Sequence, residues 1–212
     1  MDSGKSREAI LSKLKKSLEE GRGYPVPPHD INTPVFPVPK NLLSTFSEEL
    51  TAIGGHVISH DNHKELVAHI EQICEDYGTN QVYCLDTAIQ RQLATAAFDV
   101  KSGGEDFKAM QVGVTSCEFL IARTGTVVVS SAHASGRKMN VFPPMHIVLA
   151  KASQLVAFAE DALELLEKRY SDDFPSLISF ITGASRTADI EKTLVMGAHG
   201  PKELFVFIDK NE

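Results

Sequence analysis

From Leu42 to Phe98 the chain alternates short apolar runs with amphipathic helical stretches, and this alternation restricts it to a small set of folds. Residues 46–53 have helical spacing. His56-Val57-Ile58-Ser59 follows a Gly-Gly turn as a short strand, and residues 64–77 bring Leu66, Val67, Ile70, Ile73 and Cys74 to one helix face. Gln81-Val82-Tyr83-Cys84-Leu85 then reads as strand, and residues 88–98 as helix. Strands separated by helices pair in parallel, because a parallel partner needs a crossover long enough to hold a helix. The expectation is an α/β fold built on a mostly parallel sheet with helices on its faces.

The ends of the chain add to this frame. Residues 7–20 read as an amphipathic helix carrying Ile10, Leu11, Leu14 and Leu18, closed by Gly21 and Gly23. Pro25, Pro27, Pro28, Pro34, Pro37 and Pro39 follow, a spacing that forbids helix and central strand. Residues 1–41 are therefore expected to be a helix and proline-rich arm, and residues 42–212 the α/β domain. Beyond residue 112, the block from Gly113 to Ala122 leads through a tight turn at Arg123-Thr124-Gly125 into the β-branched strand Thr126-Val127-Val128-Val129. Residues 130–145 read as a polar loop, residues 146–150 as a strand, and Ser153 as the cap of a long helix reaching about Tyr170.

Charge and cysteine usage exclude several functions. The net charge is −7 with no offsetting Lys/Arg stripe, which argues against nucleic acid. The three cysteines, Cys74, Cys84 and Cys117, are far apart, with no Cys-x-x-Cys pair for zinc or an iron–sulfur cluster. No dinucleotide fingerprint or Walker loop is present, so no cofactor is assigned to this chain. No apolar run is long enough for a membrane span, and Met1-Asp2-Ser3-Gly4-Lys5 has no apolar signal core, so the expected compartment is the cytoplasm.

The richest candidate site lies between two apolar runs, residues 177–181 and 204–208, both read as buried strands. It comprises Gly183, Ser185, Arg186, Thr187, Asp189 and Glu191, with His199 following in Gly197-Ala198-His199-Gly200-Pro201. A polar, glycine-bearing loop at a strand end is where open α/β sheets take ligands. Ser185 and Thr187 suit the N-cap of a helix whose free amides attract anions, and Arg186 adds a fork for carboxylate or phosphate. The same residues also read as a well-capped junction, and both readings stay open. Thr124, Gly125 and Thr126 either line a ligand or form a turn in which glycine supplies positive φ. Arg137 and Lys138 are a second candidate anion contact, or surface charge. His133, His146 and His199 are candidate acid/base groups or metal ligands, though His146 opens an apolar strand and reads as packed, and no metal site is assigned. Cys117 lacks a paired base in the sequence, which leaves a thiol inert.

These blocks, Gly113-Val114-Thr115 with Ala122-Arg123-Thr124-Gly125-Thr126, then Pro143-Pro144-Met145-His146, then residues 183–191 with 197–201, resemble the LUD-domain family of the lactate-utilisation protein C type. The resemblance runs from about Leu42 to Asp209. It implies a three-layer fold like that of the sugar-phosphate isomerases and CoA transferases (the NagB/RpiA/CoA-transferase-like fold). It also implies an accessory role beside iron–sulfur partner proteins in oxidising L-lactate to pyruvate. The other expectation is a stand-alone binder or isomerase- or transferase-like enzyme for a small carboxylated or phosphorylated metabolite. The family usually carries glutamate where this chain has Arg123, so a carboxylate role at that position is not expected here.

Overall fold

The computed structural model describes residues 3–19, 36–102, 109–135, 137–190, 193–197 and 199–211, with backbone only at 3–5, 187–190 and 193–196. Two units are distinguished, residues 1–37 and 38–212. In the first, α1 (Ser3–Glu19) carries the expected apolar positions. Gly21, Gly23 and the arm from Tyr24 to Val35 lie outside the described residues.

The second unit runs in the order α2 (Leu42–Ala52), β1 (His56–His60), α3 (His63–Asp76), β2 (Gln81–Tyr83), α4 (Thr87–Gln92), β3 (Asp99–Lys101), β4 (Val112–Ser116), β5 (Phe119–Ile121), β6 (Thr126–Ser130), β7 (Met145–Lys151), β8 (Leu155–Val156), α5 (Ala159–Arg169), β9 (Ile178–Ile181), β10 (Arg186–Ile190), β11 (Thr193–Met196) and β12 (Glu203–Asp209). Helix starts are capped as side-chain chemistry dictates. Asn41, Asn62 and Asp86 accept the exposed amides of Ser44, Glu65 and Ala88 at 3.1, 3.0 and 2.8 Å.

Six strands form one wholly parallel sheet in the order β1-β12-β7-β4-β2-β3. Its central strands are apolar on both faces, as parallel strands covered on both sides must be. Along β7, Met145 and Ile147 face one core while Val148 and Ala150 face the other; along β12, Phe205 and Phe207 oppose Leu204, Val206 and Ile208. The first core is closed by Leu66, Val67 and Ile70 of α3 and Ile89 of α4. The second is closed by Phe46 and Leu50 of α2 together with a four-stranded mixed sheet, β8-β5-β6-β9. The outer face of that mixed sheet, through Phe119, Ile121 and Val128, packs on Ala162 and Leu166 of α5. The mostly parallel sheet flanked by helices is therefore present, with a second β layer between it and α5. Among the described residues no helix is long and apolar enough to cross a membrane.

Several local expectations change. Residues 155–156 pair with β5 as β8, so the helix expected from Ser153 begins only at Ala159, with Asp161 accepting the Phe158 amide at 2.9 Å. The apolar run Leu155-Val156 finds a strand partner, and that tertiary pairing outweighs helical continuity. Residues 186–190 do not start a helix. They form β10, hairpinned with β11, so the N-terminal amides expected to attract an anion are spent in a ladder. The run at 177–181 is not buried: β9 is the outer strand of the mixed sheet, with Phe180 45% exposed. The helix expected over 88–98 stops at Gln92 and passes through a single 3₁₀ turn before β3.

Gly125 fixes one contact between layers. It sits at φ +58°, and a Cβ there would lie 2.7 Å from Leu50 Cα and 2.8 Å from the Glu49 carbonyl carbon. Left-handed strain and backbone overlap add. Gly125→Ala is expected to lower unfolding stability by about 3 kcal/mol, read from the urea midpoint. A loss below the cost of an ordinary surface substitution would show that α2 yields instead of locking the turn.

Candidate functional site

The described cleft that best suits a ligand lies at the carboxyl ends of the parallel strands, where open α/β sheets bind ligands. Its volume is about 680 Å³. The last residues of four neighbouring strands line it: His60 of β1, Asp209 of β12, Lys151 of β7 and Ser116 of β4. Arg91 and Asp86 from the α4 region, Gln154, His133 and Arg169 complete its rim.

Against this cleft stands a buried carboxylate. Glu118 is fully buried yet ionised, because four donors converge on its two oxygens. Its Oε2 accepts from Arg169 at 2.6 Å. Its Oε1 accepts from Ser130 Oγ at 2.6 Å, Tyr170 OH at 2.7 Å and His133 Nε2 at 3.0 Å. Burial alone would raise the carboxyl pKa, but the hydrogen bonds from His133, Ser130 and Tyr170 and the charge of His133 outweigh it and bring it down to about 2. Tyr170 shifts the other way: burial, and then its bond to the carboxylate, raise its pKa and keep the phenol a donor. Arg169 also lies over the Phe119 ring, 4.8 Å from its centroid.

The His133 ring continues the chain of bonds, its Nδ1 2.7 Å from Ser116 Oγ. Since Glu118 can only accept, the ring hydrogen sits on Nε2; in neutral His133, Nδ1 is then an acceptor and Ser116 the donor. The result is Glu118–His133–Ser116 in line, opening into the cleft. Cys117, between Ser116 and Glu118, is not a competing nucleophile. It is 1% exposed, and burial, with the Glu118 charge beside it, pushes its thiol strongly up. His60 is buried, its Nδ1 without a partner among the described residues; burial holds its pKa below the usual value against the opposing charge of Asp209.

Of the residues weighed from sequence, His133 and Cys117 line this cleft; the candidate ligand contacts fall elsewhere, in three places. Thr124 and Thr126 share a hydroxyl contact of 2.7 Å, and Thr126 reaches Thr182 at 2.8 Å. Beside them Gly125 packs on α2, Gly183 at φ +81° faces the Ile53 carbonyl, and Arg186 donates to that carbonyl. Ser185 is held by its backbone, donating to Pro201 and accepting from Gly197. His199 is exposed on a second cleft of about 320 Å³ with Phe142 and Lys202. Arg137 donates to Ser176 Oγ at 2.6 Å. Only the backbone of Thr187 and Asp189 is described, and Glu191 lies outside the described residues. Of the other histidines weighed, His146 is buried against Thr115 at 2.8 Å and held neutral, its pKa lowered by burial to about 4. Among the described residues no three His, Cys, Asp or Glu side chains gather as a metal site.

The family profile described as LUD domain matches residues 43–208. The chain belongs to the LUD-domain family. It is 30% identical to lactate utilization protein C of Halalkalibacterium halodurans over 92% of this chain and 94% of that protein. It is 27% identical to lactate utilization protein C of Shouchella clausii over 97% and 98%. In the fold it is similar to the crystal structure of a DUF162 family protein from Deinococcus radiodurans, with a TM-score of 0.60 and 19% identity, covering 79% of this chain and 96% of that one. The α/β architecture expected from the sequence is thus matched by a solved structure.

Three groups bear on the acid stability of this LUD domain, His146 and His60 in an upper window and Glu118 in a lower one. His146 has a folded pKa below its unfolded value, so the unfolded chain binds more protons and stability falls as pH drops from 6.5 to about 4. Glu118, also depressed, contributes stability above 4.5 that is lost towards about 2. Glu118→Gln is expected to cost about 3 kcal/mol near neutral pH, as for removal of one partner from a buried pair, and to flatten the lower window only. Urea midpoints measured across pH check both statements; a lower window that survives in Glu118→Gln assigns it to another group.

Proposed function

We propose that the protein serves lactate utilisation, as a subunit supporting the oxidation of L-lactate to pyruvate beside iron–sulfur partner proteins in the cytoplasm. The observation that carries this reading is the likeness to lactate utilization protein C over nearly the whole of both chains. The redox centres would belong to the partners, and this chain would hold a small carboxylate. The strand-end cleft offers that ligand the side chains of Lys151 and Arg91, set beside Asp86 and Asp209 on the same lining.

A stand-alone role in binding or converting a carboxylated or phosphorylated metabolite is the second reading, favoured by the presence of a polar cleft and a hydrogen-bonded Ser–His–Glu chain in one polypeptide. The group from Thr124 to Thr126 with Gly183, Ser185, Arg186, Thr187, Asp189, Glu191 and His199, and Arg137 apart from it, stands as the alternative anion site. Its Arg186 already donates to Ile53.

Deletion of the gene is expected to abolish growth on L-lactate, and the tagged protein to bring down cysteine-rich iron–sulfur proteins from lactate-grown cells. Growth that persists would remove the lactate reading. Calorimetry with L-lactate and pyruvate then locates the ligand. Lys151→Ala is expected to weaken binding about tenfold, the loss of one charged hydrogen bond. Binding that survives in Lys151→Ala but fails in Arg186→Ala would move the ligand to the alternative site.

A further inference from the structure

We infer that Ser116 is a nucleophile activated by His133, and that the cleft performs acyl transfer on a small carboxylic ester or thioester. The inference goes beyond lactate utilisation and does not rest on it. Three observations on separate elements converge. Ser116 ends a central parallel strand and lines the cleft. His133, from the loop after β6, brings Nδ1 to 2.7 Å from its oxygen, within reach for proton transfer. Glu118 takes the other ring nitrogen at 3.0 Å and fixes the tautomer that leaves Nδ1 free to accept. Nucleophile, base and orienting carboxylate are the three parts of an activated serine, recognised by geometry and not by order in the chain. The two ring nitrogens are used in the opposite sense to the serine-protease arrangement, which leaves each role intact. Arg169 and Tyr170 anchor the carboxylate, so they and Glu118 act as positioning residues.

The step balances without a further reagent. Ser116 Oγ bonds to the acyl carbon as its proton passes to His133 Nδ1. The carbon–oxygen or carbon–sulfur bond to the leaving group breaks, and the departing alkoxide or thiolate takes the proton from His133. Water then attacks the acyl-serine, gives its proton to His133, and releases the acid as that proton returns to Ser116 Oγ. Lys151, lining the same cleft, supplies positive potential for the oxyanion that forms in each half-reaction.

A fluorophosphonate probe tests this on the full chain, with peptide mapping to find the labelled residue. The expected result is labelling at Ser116, none in Ser116→Ala, and at least a hundredfold slower labelling in His133→Asn, the usual contribution of a positioned base. Ser116→Cys gives a second reading that leaves the rest of the network in place. Its thiol, paired with His133, is expected to alkylate with iodoacetamide well ahead of an unperturbed cysteine thiol, while buried Cys74, Cys84 and Cys117 stay silent. A folded protein that the probe leaves unlabelled at Ser116, or a Ser116→Cys thiol no faster than an unperturbed one, overturns the proposal. Neither outcome touches the lactate-growth test, so the two readings fail separately.

Discussion

The buried charge of Glu118 organises this domain. An ionised carboxylate at zero exposure is tolerable only when its partners are held in place, and here they come from separate parts of the chain. Ser130 closes β6, His133 lies in the following loop, and Arg169 and Tyr170 lie at the end of α5. Removing one partner would leave buried polar atoms unmatched, so the network ties the end of α5 to the mixed sheet in addition to their apolar contact. The same demand that stabilises this packing orients the His133 ring towards Ser116. Structure and site chemistry thus share one set of hydrogen bonds.

How much of this is legible in the sequence follows from which interactions are local. The strand–helix alternation of residues 42–98 is local, and α2, β1, α3 and β2 lie close to where periodicity and capping residues put them. The long-range choices are not. Leu155-Val156 has no local reason to leave a helix; it becomes a strand because β5 offers a free edge. The stretch after Gly183 carries good N-cap residues, yet it turns into a hairpin, because its backbone groups are taken up by residues 193–196 and by Pro201. The family resemblance, resting on short ordered motifs, identified the fold where the periodicity was ambiguous.

The site was harder to see for a related reason. The motifs richest in glycine and hydroxyls, around Thr124 and Gly183, pack against the end of α2, where Gly125 and Gly183 allow the close approach of Leu50 and Ile53. Glycine marks proximity, and proximity serves a layered core as readily as a ligand. The signal that pointed to the cleft was quieter: a glutamate inside the apolar run from Cys117 to Ala122. A charge placed there demands partners, and His133 and Arg169 supply them from 15 and 51 positions away.

The chain's passage between its two sheets explains why chemistry collects at this point. β4 ends in the parallel sheet at Ser116, and β5 begins in the mixed sheet at Phe119. Only Cys117 and Glu118 span the gap. Cys117 turns into the shared core, and Glu118 is left at the seam, where neither sheet's ladder is continuous. A seam between layers is where side chains of opposite character can be buried a few ångströms from solvent. It combines a low dielectric, which makes each hydrogen bond count, with a cleft open to solvent. Ser116, the last residue of its strand, lines the cleft on the β4 side.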